Sequence, residues 1–217
     1  MKLNHYIDHT LLKPEASPQA IIKLCQEAID YEFYAVCVSG CYAYLAAEQI
    51  RQSNVKLAVT VGFPLGSLTS EAKVQEAKIA IKQGADEIDM VMNIGFLKAG
   101  LTEEVEEEIR SVKSVIGEKI LKVILETCYL SNSEIVKACM ISEKAGADFV
   151  KTSTGFGTAG ASIEHIKLMK QSIGGNMKIK ASGGIRDIET ALEYVNAGAD
   201  RIGTSSGIQI VSGSWIS

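Results

Sequence analysis

Eight short apolar runs, at 5–10, 33–38, 56–61, 87–92, 120–125, 149–151, 178–182 and 201–204, recur along the chain with helix-period segments between them. No other feature narrows the possible folds as much. Strands that alternate with helices imply a parallel sheet whose crossovers are helical. Eight such units predict a single closed α/β barrel, the (β/α)8 or TIM architecture, as one domain over 1–217. A doubly wound open sheet is the alternative. It needs a reversal of strand order to make a cleft, and the chain shows no early Gly-x-Gly-x-x-Gly.

Helix punctuation supports the alternation. Ser17-Pro18, Thr69 or Ser70, Thr102, Ser131, Ser162 and Asp187 are placed as caps, and Ser131-x-x-Glu134 reads as a capping box. Gly84, Gly117, Gly146 and Gly198 stop helices. Five glutamates between 103 and 108 suit the positive end of a helix dipole, so they are read as helix surface and not as a binding tail. Gly-Ala-Asp occurs three times, ending at Asp86, Asp148 and Asp200, each time between a helix and a strand. Three residues after each stand Asp89, Lys151 and Gly203, which predicts one depth and one face for all three.

Composition excludes several roles. A net charge of -4 and a pI near 5.5 oppose a nucleic-acid or anionic-membrane surface, while leaving room for a locally cationic site for a small anion. Five scattered cysteines (Cys25, Cys37, Cys41, Cys128, Cys139) with no Cys-x-x-Cys read as reduced thiols, and with three histidines and no metal-ligand spacing no zinc site is expected. The N-terminus carries no apolar signal region, and no stretch is long enough to span a bilayer. The expectation is a soluble cytoplasmic chain with no membrane or nucleic-acid partner.

Lys151 ends a short strand where the chain runs into a Gly/Thr/Ser loop. An amine held there, partly desolvated and near a second cation, loses proton affinity and becomes a nucleophile toward carbonyls. Lys180, on the adjoining strand, is the expected second cation, and Asp89 is the expected proton shuttle across the barrel. The alternatives are a lysine that snorkels to water and an Asp89 that merely pairs with a lysine. Ser182-Gly-Gly-Ile-Arg186 and Gly203-Thr-Ser-Ser-Gly207 follow strands seven and eight, the usual phosphate position of a β/α barrel, with Arg186 adding charge. Plain turn punctuation is the other reading of those loops. A Schiff-base lysine beside a phosphate grip implies a phosphorylated sugar-like substrate and class I aldolase chemistry, which requires no metal or other cofactor.

The segments Tyr6-Ile-Asp-His-Thr-Leu-Leu12, Thr60-Val-Gly-Phe-Pro-Leu-Gly66, Glu87-Ile-Asp-Met-Val-Met-Asn93, Phe149-Val-Lys-Thr-Ser-Thr-Gly155 and Lys180-Ala-Ser-Gly-Gly-Ile-Arg186 resemble the deoxyribose-phosphate aldolases from about residue 5 to residue 207. The resemblance implies reversible cleavage of 2-deoxy-D-ribose 5-phosphate, with Lys151 as the Schiff-base lysine and Asp89 and Lys180 as proton relays. It implies that Asp8 and Thr154 contact substrate hydroxyls, and that Gly155, Gly183, Gly184, Gly203, Ser205 and Ser206 surround the phosphate. Cys37 matches a site-lining cysteine with a packing role, and a homo-oligomer (dimer or tetramer) is implied. Two departures stand out. Phe156 occupies a position where some members carry a lysine beside the phosphate, and Ser217 ends the sequence without the terminal tyrosine tail of some members. A different lysine-dependent barrel lyase, a phosphosugar isomerase or synthase without an imine, and a non-catalytic phosphate-binding barrel are the rival readings.

Overall fold

The eight apolar runs become β1 (Ile7–Leu11), β2 (Ala35–Val38), β3 (Lys56–Val61), β4 (Glu87–Val91), β5 (Ile120–Ile124), β6 (Phe149–Lys151), β7 (Lys178–Ser182) and β8 (Arg201–Thr204). All pair in parallel and in sequence order, and β8 returns to β1 through Asp8 opposite Gly203. The barrel is closed, so the open-sheet alternative fails. The structure is a computed structural model and describes residues 2–213. The expectation about the C-terminal tail falls on 214–217, outside the described residues.

Around the strands stand α1 (Pro18–Asp30), α2 (Ala43–Ile50), α3 (Ser70–Lys82), α4 (Ile94–Lys98), α5 (Thr102–Ile116), α6 (Asn132–Lys144), α7 (Ile163–Ser172), α8 (Ile188–Ala197) and α9 (Gly207–Ser212). Alternation along each strand sorts the side chains. Val36, Leu57, Ile88, Val123 and Ile179 join the buried apolar layer beneath the helices, which leaves the intervening positions to fill the interior. Ser17, Thr69, Ser162 and Asp187 cap through their side chains, and Ser131 with Glu134 forms the full capping box.

Thr102 does not cap. It is the first residue of α5, and Leu101 before it offers no side-chain acceptor. The five-residue α4 was not anticipated. Asn93 ends the β4 run and accepts from Phe96 N–H at 3.0 Å, which turns the chain into that short helix. Glu108 also departs from the expected helix surface: it is buried and lies 2.6 Å from Lys73 of α3. Lys73 donates further to the carbonyls of Gly66 (2.7 Å) and Val91 (2.9 Å), and Glu108 accepts from Asn93 N–H. This pair bolts α3 and α5 to the ends of β3 and β4.

The three Gly-Ala-Asp turns are equivalent in detail. Asp86, Asp148 and Asp200 each donate their N–H to a carbonyl of the preceding strand (Leu57, Leu121, Ile179). Each carboxylate in turn accepts that same residue's N–H, at 3.1, 2.8 and 2.9 Å. The register this fixes makes Asp89, Lys151 and Gly203 the third residue of their strands. A Cβ on Gly203 would lie 3.0 Å from the Lys180 side chain, so this position faces the interior with the other two. Among the described residues no helix is long and apolar enough to cross a membrane.

Candidate active site

The interior positions carry charge to an unusual degree. Asp8, Glu87, Asp89, Lys122, Lys151, Lys180 and Arg201 are all buried. Ion pairs link them into one lattice that climbs from the N-terminal end of the barrel to its C-terminal mouth. At the bottom, Glu87 lies 2.5 Å from Lys122 and 3.6 Å from Arg201. The Arg201 guanidinium sits 3.3 Å from the centre of the Tyr34 ring, which closes this end. In the middle, Asp8 accepts from Lys180 at 2.5 Å and from Arg201 at 2.8 Å. Asp89 uses Oδ1 for Lys122 at 2.6 Å and Oδ2 for both Lys180 (2.8 Å) and Lys151 (2.9 Å). Lys151 and Lys180 are direct neighbours in the β6–β7 register.

Attraction outweighs burial at Asp8, Asp89, Lys122 and Lys180. Burial alone pushes the Asp8 carboxyl up, yet Lys180, Arg201 and Lys122 together hold it at about 2. Asp89 is held well below the ordinary carboxylate range by Lys122, Lys151 and Lys180 against the same opposing burial. For Lys180 burial favours the neutral amine, but Asp8 and Asp89 overcome it and raise the proton affinity. Asp89 and Glu87 do the same for Lys122. With every group ionised the lattice holds four cations and three carboxylates, a surplus of one positive charge. Glu126, a buried carboxylate just beyond the end of β5, joins no ion pair among the described residues. It accepts from Thr154 N–H at 3.0 Å and from the Thr154 hydroxyl, which shapes the loop after β6.

Above the lattice lies a cavity of about 380 Å³ whose floor includes Lys151. Thr154, Gly155, Gly183, Gly184, Arg186 and Ser205, from the loops after β6, β7 and β8, line it together with Gly203 of β8 itself. Gly183 and Gly184 are consecutive residues at φ +86 and +82, a conformation that L side chains adopt only at a cost. The Cβ position of Gly184 is open space, so backbone there faces the cavity directly.

The expected trio Lys151, Asp89 and Lys180 is therefore brought together, and Asp89 touches both lysines directly instead of from across the barrel. The pairing alternative for Asp89 holds as well, three times over. Asp8 lies below the cavity with both oxygens engaged, and it does not line the wall. Cys37 is also buried beneath it, its sulfur 3.9 Å from Asp89 Oδ2; burial, then Asp89, raises its thiol pKa. Ser206 stands outside the lining and precedes α9, its N–H bonded to the Thr204 hydroxyl. Lys122, Glu87 and Arg201 went unnoticed in the sequence. Strand periodicity was the available signal, because Glu87 and Arg201 each precede an interior position by two residues, and Lys122 pairs with Asp89.

A model of the DeoC/LacD family aldolases matches residues 3–213. The deoxyribose-phosphate aldolase of Streptococcus gordonii is 54% identical over 213 residues, 98% of this chain and 97% of that protein. The deoxyribose-phosphate aldolase of Thermococcus gammatolerans is 54% identical over 217 residues, covering 98% and 96%. The solved tetrameric deoxyribose phosphate aldolase from Aeropyrum pernix superposes with a TM-score of 0.87 at 35% identity, covering 97% of this chain and 89% of that one. With a closed eight-stranded barrel, a lysine at the floor of its cavity and these relatives over nearly the whole length, the chain belongs to the DeoC/LacD family of aldolases.

Proposed function

We propose that this chain is a class I aldolase that reversibly cleaves 2-deoxy-D-ribose 5-phosphate into D-glyceraldehyde 3-phosphate and acetaldehyde, with Lys151 as the Schiff-base residue. One observation supports this above the others: Lys151 is the lysine of the charged lattice that reaches the cavity. Lys122 and Lys180 each contact at least two carboxylates, whereas among the described residues Lys151 pairs with Asp89 alone. Release of one proton from Lys151 removes the surplus positive charge and still leaves every carboxylate paired. The free amine attacks the C1 aldehyde of the open-chain sugar to give a carbinolamine. A proton delivered to its hydroxyl lets water leave, and an iminium remains.

Cleavage of the C2–C3 bond sends its electron pair into the iminium to form an enamine, while the C3 hydroxyl gives up its proton and becomes the aldehyde of glyceraldehyde 3-phosphate. Protonation at C2 regenerates an iminium, and water hydrolyses it to acetaldehyde and free Lys151. Asp89 passes protons at the nitrogen during carbinolamine formation and breakdown, a role supported by the hydrogen bonds its Oδ2 accepts from Lys151 and Lys180. Gly155, Gly183, Gly184 and Ser205 in the loops after β6, β7 and β8, with Gly203 of β8, receive the phosphate, and Arg186 is a cationic contact. Thr154 lines the same cavity and supplies a hydroxyl to the sugar.

One catalytic domain spanning the whole chain, a cytoplasmic location and a dimeric or tetrameric assembly complete the proposal. Five free thiols suit a reducing compartment, the Aeropyrum pernix relative is tetrameric, and light scattering measures the assembly. Acetaldehyde with borohydride tests the chemistry, since reduction of the imine leaves an ethyl group on the attacking amine. The expected adduct maps to Lys151 by peptide mass spectrometry. An adduct confined to another lysine, or no adduct, defeats the reading.

A further inference from the structure

The cavity over Lys151 has a charge pattern that the lattice does not account for. Among the described residues no aspartate or glutamate lines it, and its three cations are Lys13, Lys151 and Arg186. Lys151 is committed to Asp89. Among the described residues neither Lys13 nor Arg186 joins an ion pair. In a chain with four more acidic than basic residues, two unpaired cations on one acid-free wall are a specific electrostatic statement.

Strand order explains how the two meet. Lys13 follows β1 and Arg186 follows β7, and in the closed barrel these strands flank β8 on either side. The C-terminal end of β8, with Gly203 in the strand and Ser205 just beyond its last residue, thus lies between a cation from each neighbour. Lys13 is not on a free tether. Its carbonyl accepts Ala16 N–H at 3.0 Å, and the Tyr42 hydroxyl donates to the Ala16 carbonyl at 2.5 Å, which fastens this turn. Leu11 and Leu12 beside it form part of the same wall. From the β6 side the wall is Phe156, an uncharged ring packed edge-on against Phe63 at 5.5 Å. Positive charge for an anion in this cavity therefore comes from the β1 and β7 loops.

We propose that Lys13 is a second cationic anchor for the substrate's phosphate, opposite Arg186, and that it sets the preference for a phosphorylated over an unphosphorylated sugar. This rests on the aldolase reading above. Two probes separate failure of one from failure of the other. Lys13→Met keeps the stem and removes the charge. It should raise KM for 2-deoxyribose 5-phosphate about ten-fold with kcat within about two-fold, the scale of one lost charge-assisted contact. The ratio of kcat/KM for the phosphate ester over free 2-deoxyribose should fall by a similar factor, and Lys13→Arg should restore it. Calorimetric titration with inorganic phosphate reads the same cation without any chemistry, and its Kd should rise about as much in Lys13→Met. Unchanged phosphate affinity, or equal losses on ester and free sugar, would overturn the role of Lys13. Weakened phosphate binding in Lys13→Met, with a wild type that cleaves neither sugar, would instead retain Lys13 and overturn the aldolase reading.

Discussion

Two places in this molecule bury lysine, and they behave oppositely. Between α3 and α5, Lys73 meets a single carboxylate, Glu108, and two backbone carbonyls. Burial wins there: it holds Lys73 below the ordinary lysine range and Glu108 above the ordinary carboxylate range despite their mutual attraction. In the barrel interior each carboxylate serves at least two cations, and attraction wins over burial for Asp8, Asp89, Lys122 and Lys180. The α3–α5 pair is balanced, sealed and structural. The lattice carries one extra cation and opens at Lys151 onto a cavity. A buried lysine is thus no sign of chemistry by itself; a charge surplus with access to a cavity is.

This contrast is open to test, and the largest effect belongs to the exposed end of the lattice. Lys151→Met should lower kcat/KM on 2-deoxyribose 5-phosphate by on the order of 10⁴-fold or more and abolish borohydride trapping. Retention of the trapped adduct would move the chemistry to another lysine. Asp89→Asn leaves four cations with two carboxylates. It should cost about 3–5 kcal/mol in urea unfolding and roughly 10²-fold or more in kcat. A stable variant of near-normal kcat would show that the lattice is decoration.

Glu108→Gln sharpens the other side. It strands Lys73 and should cost about 3 kcal/mol, while kcat stays within about three-fold because the pair lies outside the cavity. A large loss of kcat without loss of stability would erase the distinction between the two sites. The smallest effect is that of pH. Asp8 in the folded chain titrates at about 2, against an ordinary value of 3.8. Its folded-state pKa is depressed, so its contribution is fully present above about pH 5 and is lost as pH falls toward 2. That contribution is about 2 kcal/mol. Stability measured over this window should slope less steeply in Asp8→Asn; an unchanged slope would mean that the Lys180 and Arg201 contacts do not hold Asp8 ionised.

Much of the fold was legible because it is local. Alternating apolar runs, Ser17-Pro18, the Ser131–Glu134 box and the glycine stops each act within a few residues, and each stands where expected. The misses are of two kinds. Thr102 has the chemistry of a cap, but the helix begins one residue too early to use it. Glu108 was hidden among surface glutamates, although it lies three residues after Val105 on the buried stripe of α5, and Lys73 precedes Ala77 and Ala80 of α3 at the same helical spacing. In both helices the charge of the residue outweighed its position in the reading.

By itself the sequence determined eight β/α units, the family, and a lysine, an aspartate and a second lysine on the strands, although Asp89 and Lys180 stand at mid-strand and only Lys151 at a strand end. Period-2 alternation and motif spacing depend only on neighbours along the chain. The closure of β8 onto β1 decided the rest. It places Asp8 against Lys180 and Arg201, 172 and 193 residues away, and brings Lys13 and Arg186 to either side of one loop. Which charges pair and which stay free is set by distances across the barrel, and Coulomb energies follow those distances, not separation in sequence.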